Sequence, residues 1–156
     1  MLTLFLKNMF LQTDMTKKAF DIVLKAFDGV LDKGGKPYIN HLIRVANGVL
    51  GNSDIREKLT VIGLLHDTIE DTHWTEEDLR KEFPNDIVDA IVALTKVDGI
   101  SYDDYIDGVM KNDLATIVKI SDLKDNMDVT RLPELGEYEI KRLKKYHKTF
   151  KKLSEK

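Results

Sequence analysis

The sequence predicts an all-α fold, one helical bundle of about eight helices, on three observations. Apolar residues recur at spacings of three and four along nearly the whole chain. No segment alternates apolar with polar residues, the period that a half-buried strand requires. The three prolines all fall at boundaries between periodic segments, where a missing N–H is tolerated. At 156 residues the chain suits a single domain over 1–156 with one sizeable core.

The opening run MLTLFLKNMFLQ places Leu2, Phe5, Leu6 and Met9 at helical spacing and is read as an amphipathic helix, about 1–12, packed on the body. It is too short to span a bilayer and lacks a basic leader and a cleavage site, so neither a membrane span nor a signal peptide is expected. Residues 16–30 put Ala19, Phe20, Val23, Leu24 and Phe27 on one stripe. Gly34, Gly35 and Pro37 break the pattern; residues 38–50 resume it until Gly51, Asn52 and Ser53. The most hydrophobic helix follows over 55–69, its middle reading VIGLL at 61–65. Thr75, with Asp78 three residues on, is an N-cap for a short helix that ends before Pro84. Ile87, Ala90, Ile91 and Leu94 mark a helix over 86–95. Two more are expected over 101–110 and 113–127, and a basic helix over about 134–156 closes the chain.

Composition narrows the function classes. The chain is 42% hydrophobic and 33% charged, the balance of an ordinary globular protein. A net charge of −3 gives no general reason to expect a nucleic-acid partner. Cysteine is absent, which removes thiol catalysis, cysteine-ligated zinc and disulfides and suits a cytoplasmic setting. No P-loop, GxGxxG or GxSxG occurs.

The stretch GLLHDTIEDT, residues 63–72, carries the chemistry. An apolar run leads straight into His66 and Asp67, with Glu70 and Asp71 one helical turn on. On a continuous helix His66 stacks over Glu70 and Asp67 over Asp71. Solvated acids at a surface helix end are the bland alternative, but the preceding VIGLL keeps this end at the margin of the core. A divalent metal would compensate the charges, with His66 and Asp67 as ligands and Glu70 and Asp71 left for proton chemistry. His41 in PYINHLIRVA and Asp122 in IVKISDLKDNM supply matching groups, and Lys119, Asp122 and Asn126 share a face. Such a mixed nitrogen and oxygen set suits Mn²⁺, Fe²⁺, Co²⁺ or Zn²⁺ rather than Ca²⁺.

These residues form the H…HD…D signature of the HD phosphohydrolases. With KGGKPYINH, LLHDTIEDT and VKISDLKDNM in this order, the chain resembles the (p)ppGpp hydrolase domain of the RelA/SpoT proteins and the stand-alone small alarmone hydrolases. The resemblance runs from about residue 26 to residue 146. It implies an HD-domain bundle holding one divalent metal, Mn²⁺, on His41, His66, Asp67 and Asp122. It implies that Glu70 and Asp71 position and activate the attacking water, and that Lys33, Lys119, Asn126, Arg142 and Tyr146 hold a nucleotide carrying a polyphosphate. Asp32-Lys33 stands where the long proteins usually have Arg-Lys, which leaves the base open, and Leu42 replaces a usual proline. A 5′-nucleotidase, another nucleotide pyrophosphohydrolase and a non-catalytic nucleotide-binding domain are the alternatives, and an oligomer is open. His73 and His147 are read as surface histidines. Tyr102 and Tyr105 are read as packing or lid residues, and Arg44 as a partner of either a phosphate or a carboxylate.

Overall fold

The run from Val61 to Leu65 is buried, and other helices pack around the one that carries it. A computed structural model describes residues 2–49 and 53–155, with side chains described at 14–49 and 54–155. Among these residues the backbone forms α1 (Leu2–Ala26), α2 (Ile39–Gly48), α3 (Ser53–Leu65), α4 (Thr68–Asp71), α5 (Glu76–Glu82), α6 (Asn85–Leu94), α7 (Tyr102–Val109), α8 (Asp113–Asn126) and α9 (Glu137–Ser154). A single 3₁₀ turn, Val129–Arg131, lies between α8 and α9. No strand occurs among the described residues, in keeping with the all-α expectation; an isolated bridge joins Leu31 to Pro37.

Local chemistry sets most boundaries. Thr75 caps α5 with a reciprocal pair: its side chain accepts from the Asp78 amide, and its own amide donates to Asp78. Ser101 and Asn112 cap α7 and α8 by accepting from the Asp104 and Ala115 amides. At the N-terminus the structure departs from expectation. The two segments expected at 1–12 and 16–30 are one helix, α1, because Thr13, Asp14 and Met15 include neither glycine nor proline to stop it. α1 also ends earlier, at Ala26, where a turn runs to Gly29 at φ +74°. Leu24, expected on the buried stripe, is largely exposed, and Ile22 packs in its place. The expected packing of residues 1–12 lies outside the described side chains, and the expected stop at Gly51 and Asn52 lies outside the described residues.

The helix expected over 55–69 is also corrected. It stops at Leu65, turns through His66 and Asp67, and restarts as the one-turn α4, where the Asp71 N–H donates a hydrogen bond to the Asp67 carbonyl at 2.9 Å. α3 packs against α1, α2, α6 and α8, and α8 in turn carries α9. The α2–α3 crossing is close: a Cβ on Gly63 would lie 2.8 Å from Ala46 Cα. That approach brings the start of α2, the end of α3 and the middle of α8 to one place, the floor of a cavity of about 280 Å³.

Candidate metal centre and active site

His41 lines this cavity, and His66 packs edge-on against the His41 ring, ring centres 5.3 Å apart. His66 is 3% exposed, and its Nδ1 lies 2.7 Å from the Gly63 carbonyl oxygen. A carbonyl only accepts, so Nδ1 carries the proton and Nε2 the lone pair. That Nε2 is buried and has no hydrogen-bond partner, although Asp67 Oδ2 lies 3.1 Å away. His41 Nδ1 is held at 2.6 Å by Asp125 Oδ2, which likewise turns its Nε2 inward, 3.3 Å from Asp122 Oδ1 and 3.6 Å from Asp67 Oδ2. Donor atoms of His41, His66 and Asp122 all lie within 4.8 Å of one another.

The electrostatics call for a cation. Burial alone would lower both histidines, but Asp122, Asp125 and Asp67 outweigh it and raise His41 to about 11. Burial is likewise outweighed at His66 by Asp67 and Asp122, which raise it to about 9. Asp67 and Asp122 are held well below the usual carboxylate range, against the opposing effect of burial: Asp67 chiefly by His66 and His41, Asp122 by Lys119 and both histidines. A buried set of this kind must be neutralised. Protonated imidazoles do so at the expense of their lone pairs, whereas one divalent ion does so while using them. The residues therefore fit a divalent metal: donor atoms of His41, His66 and Asp122 are gathered at one point, with Asp67 Oδ2 adjacent, 3.1 Å from His66 Nε2.

The supporting shell is well built. Tyr38 Oη donates to Asp67 Oδ2 at 2.6 Å, Lys119 Nζ to Asp122 Oδ2 at 2.8 Å, and Asn126 Nδ2 to Asp122 Oδ1 at 2.6 Å. Burial would raise Asp125, but hydrogen bonds from His41 and Arg44 bring it down to about 2. Of the acids after the His-Asp pair, Glu70 accepts from the Lys96 amide at 3.0 Å. Asp71 lies beside Asp67 and Glu70 and is raised to about 6, by burial first and those two charges next. Both line the cavity with Lys33, Asn126, Arg142 and Tyr146. On α9, Arg142 Nη2 donates to Tyr146 Oη at 3.2 Å, and Lys33 Nζ stands 5.2 Å above the Tyr138 ring.

Not every candidate lands where the spacing placed it. Lys119 is not on the cavity wall; it lies behind Asp122, largely buried, with its Nζ 5.3 Å from the Tyr105 ring centre. The helix break at His66 removes the stacking of that residue over Glu70. Arg44 resolves to a carboxylate partner, gripping Asp125 with Nε at 2.6 Å and Nη2 at 3.2 Å. His73 and His147 are exposed, and Tyr105 is buried with its hydroxyl donating to the Leu94 carbonyl. Three contributors were missed. Tyr38 stands inside the PYI stretch, and Asp125 shares the face of Asp122 at a spacing of three. Arg131, in the 3₁₀ turn, carries no periodic signal at all.

A family model described as HD domain matches residues 19–119. Among curated relatives, a GTP pyrophosphokinase of Myxococcus xanthus is 42% identical over 88 residues, which cover 56% of this chain and 12% of that protein. A guanosine-3′,5′-bis(diphosphate) 3′-pyrophosphohydrolase of Borreliella burgdorferi is 38% identical over 80 residues, covering 51% of this chain and again 12% of the relative. The chain thus matches only a small part of the length of these proteins. A solved structure of a metazoan ortholog of SpoT, described as hydrolysing ppGpp and playing a role in starvation responses, shares the fold with a TM-score of 0.73 at 19% identity, over 89% of this chain and 84% of that one. The match over 19–119 takes in His41, His66 and Asp67 and stops three residues before Asp122, which α8 brings to the same floor: this chain belongs to the HD domain family.

Proposed function

We propose that this protein is a metal-dependent phosphohydrolase that removes the 3′-pyrophosphate from (p)ppGpp or a closely related nucleotide. The observation that carries the proposal is the unpartnered, buried Nε2 of His66 in a nitrogen and oxygen set that opens onto Glu70, Asp71, Arg142 and Tyr146 in one cavity. Relatives named for (p)ppGpp hydrolysis and a neighbour of the same fold support the substrate class. In this reading the ion is Mn²⁺, held by His41, His66, Asp67 and Asp122, and the setting is the cytoplasm. Among the described residues no helix is long and apolar enough to cross a membrane.

When bound, the ion supplies Lewis acidity, making water a better nucleophile near neutral pH and offsetting phosphoryl charge. Tyr38 and Asn126 fix the carboxylates of Asp67 and Asp122, while the Gly63 carbonyl and Asp125 hold Nε2 of His66 and His41 inward. Asp71, raised towards neutrality, takes the proton of the attacking water, and Glu70, anchored on the Lys96 amide, orients that water. Oxygen attacks the 3′-phosphorus, the bond to the ribose 3′-oxygen breaks, and a proton returns to that oxygen. Lys33 and Arg142 pair with the phosphate groups, and Tyr146 steadies the guanidinium of Arg142.

A nucleotidase or another nucleotide pyrophosphohydrolase is the second reading. It is favoured by Asp32, which spends one oxygen on the Gly34 and Lys36 amides and offers no cation to a guanine. The deciding experiment incubates Mn²⁺-loaded protein with a panel of nucleotides and identifies the products. Pyrophosphate released from ppGpp with the 5′-diphosphate intact is the expected result. Asp71→Asn should keep fold and metal while turnover falls by about 10²-fold, the usual scale of losing a general base. Release of a single phosphate from 5′-monophosphates, with ppGpp untouched, would establish the second reading instead.

A further inference from the structure

Arg131 lines the same cavity as Lys33 and Arg142, yet its charge is already committed. Its Nη2 donates to Asp125 Oδ2 at 3.1 Å and to the Asp125 carbonyl. Its Nη1 forms an ion pair with Asp32 Oδ2 at 3.9 Å, and its Nε, which makes no hydrogen bond, lies 3.4 Å from Asp128 Oδ2. A guanidinium held among three carboxylates is poorly placed to take up a phosphate as well.

Two of those carboxylates lead in opposite directions. Asp125 is 9% exposed at its side chain and holds His41 Nδ1, fixing which nitrogen that ring presents to the metal. Asp32 uses its other oxygen to accept from the Gly34 and Lys36 amides, at 2.9 Å each, and so closes the turn that carries Lys33. The 3₁₀ turn also presses on this loop through its backbone, since a Cβ at Gly34 would lie 2.7 Å from the Arg131 carbonyl oxygen. One planar fork therefore spans the loop of a substrate contact and the support of a metal ligand.

We propose that Arg131 is a positioning residue that couples the Lys33 loop to His41, through Asp32 on one side and Asp125 on the other. The substrate arm rests on the phosphohydrolase reading above; the metal arm does not. Lysine keeps the charge at 131 but has one ammonium and no fork, so it cannot span both partners. Asn at 32 keeps an oxygen for the Gly34 and Lys36 amides while placing an NH₂ against Arg131, which cuts that arm alone.

The test compares wild type, Arg131→Lys and Asp32→Asn in Mn²⁺ affinity by direct titration, KM and kcat on ppGpp, and Tm. Arg131→Lys should weaken Mn²⁺ binding and raise KM, each by about threefold or more, below the tenfold typical of losing a whole support because Arg44 still grips Asp125. Asp32→Asn should raise KM by about as much, with kcat and Mn²⁺ affinity within about twofold of wild type. Unchanged Mn²⁺ affinity in Arg131→Lys, or unchanged KM in Asp32→Asn, would overturn the coupling, as would a loss of Tm alone. If Arg131→Lys does not fold, the KM of Asp32→Asn decides. If the wild type leaves ppGpp untouched, the proposed substrate fails, while the Mn²⁺ affinity of Arg131→Lys still decides the arm to His41.

Discussion

At the scale of single residues, the site works by giving chemically alike groups different surroundings. His41 and His66 each spend Nδ1 on a fixed acceptor, one a carboxylate and one a backbone carbonyl, which leaves two Nε2 atoms facing inward. Among the acids, Asp67 and Asp122 are held ionised by cationic neighbours, while Asp71 is pushed up from 3.8 to about 6. That difference has a thermodynamic sign. The folded pKa of Asp71 lies above the unfolded value, so the fold disfavours its carboxylate. The penalty is fully present above about pH 6 and fades as pH falls towards 3.8, where both states bind the proton. Asp71→Asn should therefore raise the Tm of the metal-free protein at about pH 8, and the gain should shrink steadily by about pH 4. A Tm gain of the same size across that range would mean that charge is not its cause. Arg142 is legible in a different way, through its spacing of four from Tyr146, and the structure brings that pair to the cavity wall. Arg142→Ala should raise KM for ppGpp by roughly tenfold, given charge-assisted contacts of ~1.5–3 kcal/mol and ~1.4 kcal/mol per decade. It should leave a small phosphodiester substrate nearly unaffected.

At the scale of elements, the α2–α3 crossing is the decisive construction. Gly63 has two duties: its missing side chain lets α3 approach Ala46, and its carbonyl accepts from His66 Nδ1. Adding a methyl there forces backbone apart, since the nearest atoms belong to the main chain of Ala46. Overpacking of this kind costs about 1–3 kcal/mol. Gly63→Ala should lower Tm by several degrees and weaken Mn²⁺ binding together, because the shift moves His66 relative to His41. A thermal scan alongside a metal titration checks this; a fall in Tm with full metal affinity would separate the crossing from the site. The break between α3 and α4 belongs here too. Periodicity through 55–69 reads as one helix, because the apolar spacing continues across His66 and Asp67 into Ile69. Where α3 ends, His66 bonds back to the Gly63 carbonyl and Asp67 accepts from Tyr38, 29 positions away, a partner that a local pattern does not contain.

At the scale of the whole molecule, the proposed metal links binding to stability. The floor of the cavity joins α2, the α3–α4 turn and α8, so an ion bound there ties together elements distant in sequence. A ligand that binds only the folded state at a hundredfold excess over its Kd adds about 2.7 kcal/mol. For a chain of this size that corresponds to roughly 5–10 °C in Tm. Mn²⁺ should produce such a shift in the wild type and none in Asp122→Ala, with calorimetry as the measurement. A full shift in that variant would remove Asp122 from the ligand set.

The sequence by itself determined the helical class, the Thr75 cap, several boundaries and the His41, His66, Asp67 and Asp122 signature, because periodicity, capping and short motifs are local patterns. Thr75, Ser101 and Asn112 show how local such starts are: each helix there is capped by a side chain bonding an amide three residues on. Only the tertiary structure decided that Lys119 backs Asp122 rather than facing the cavity, and that Arg44 serves a carboxylate. It alone also joined Asp32, Arg131, Asp125 and His41 into one line of contacts. Those partners lie far apart in the chain, 84 positions for His41 and Asp125 and 99 for Asp32 and Arg131, and their pairing depends on how α2, α8 and the 3₁₀ turn pack. Side-chain spacing along one helix fixes a face; which neighbour that face meets is set by the packing of the whole chain.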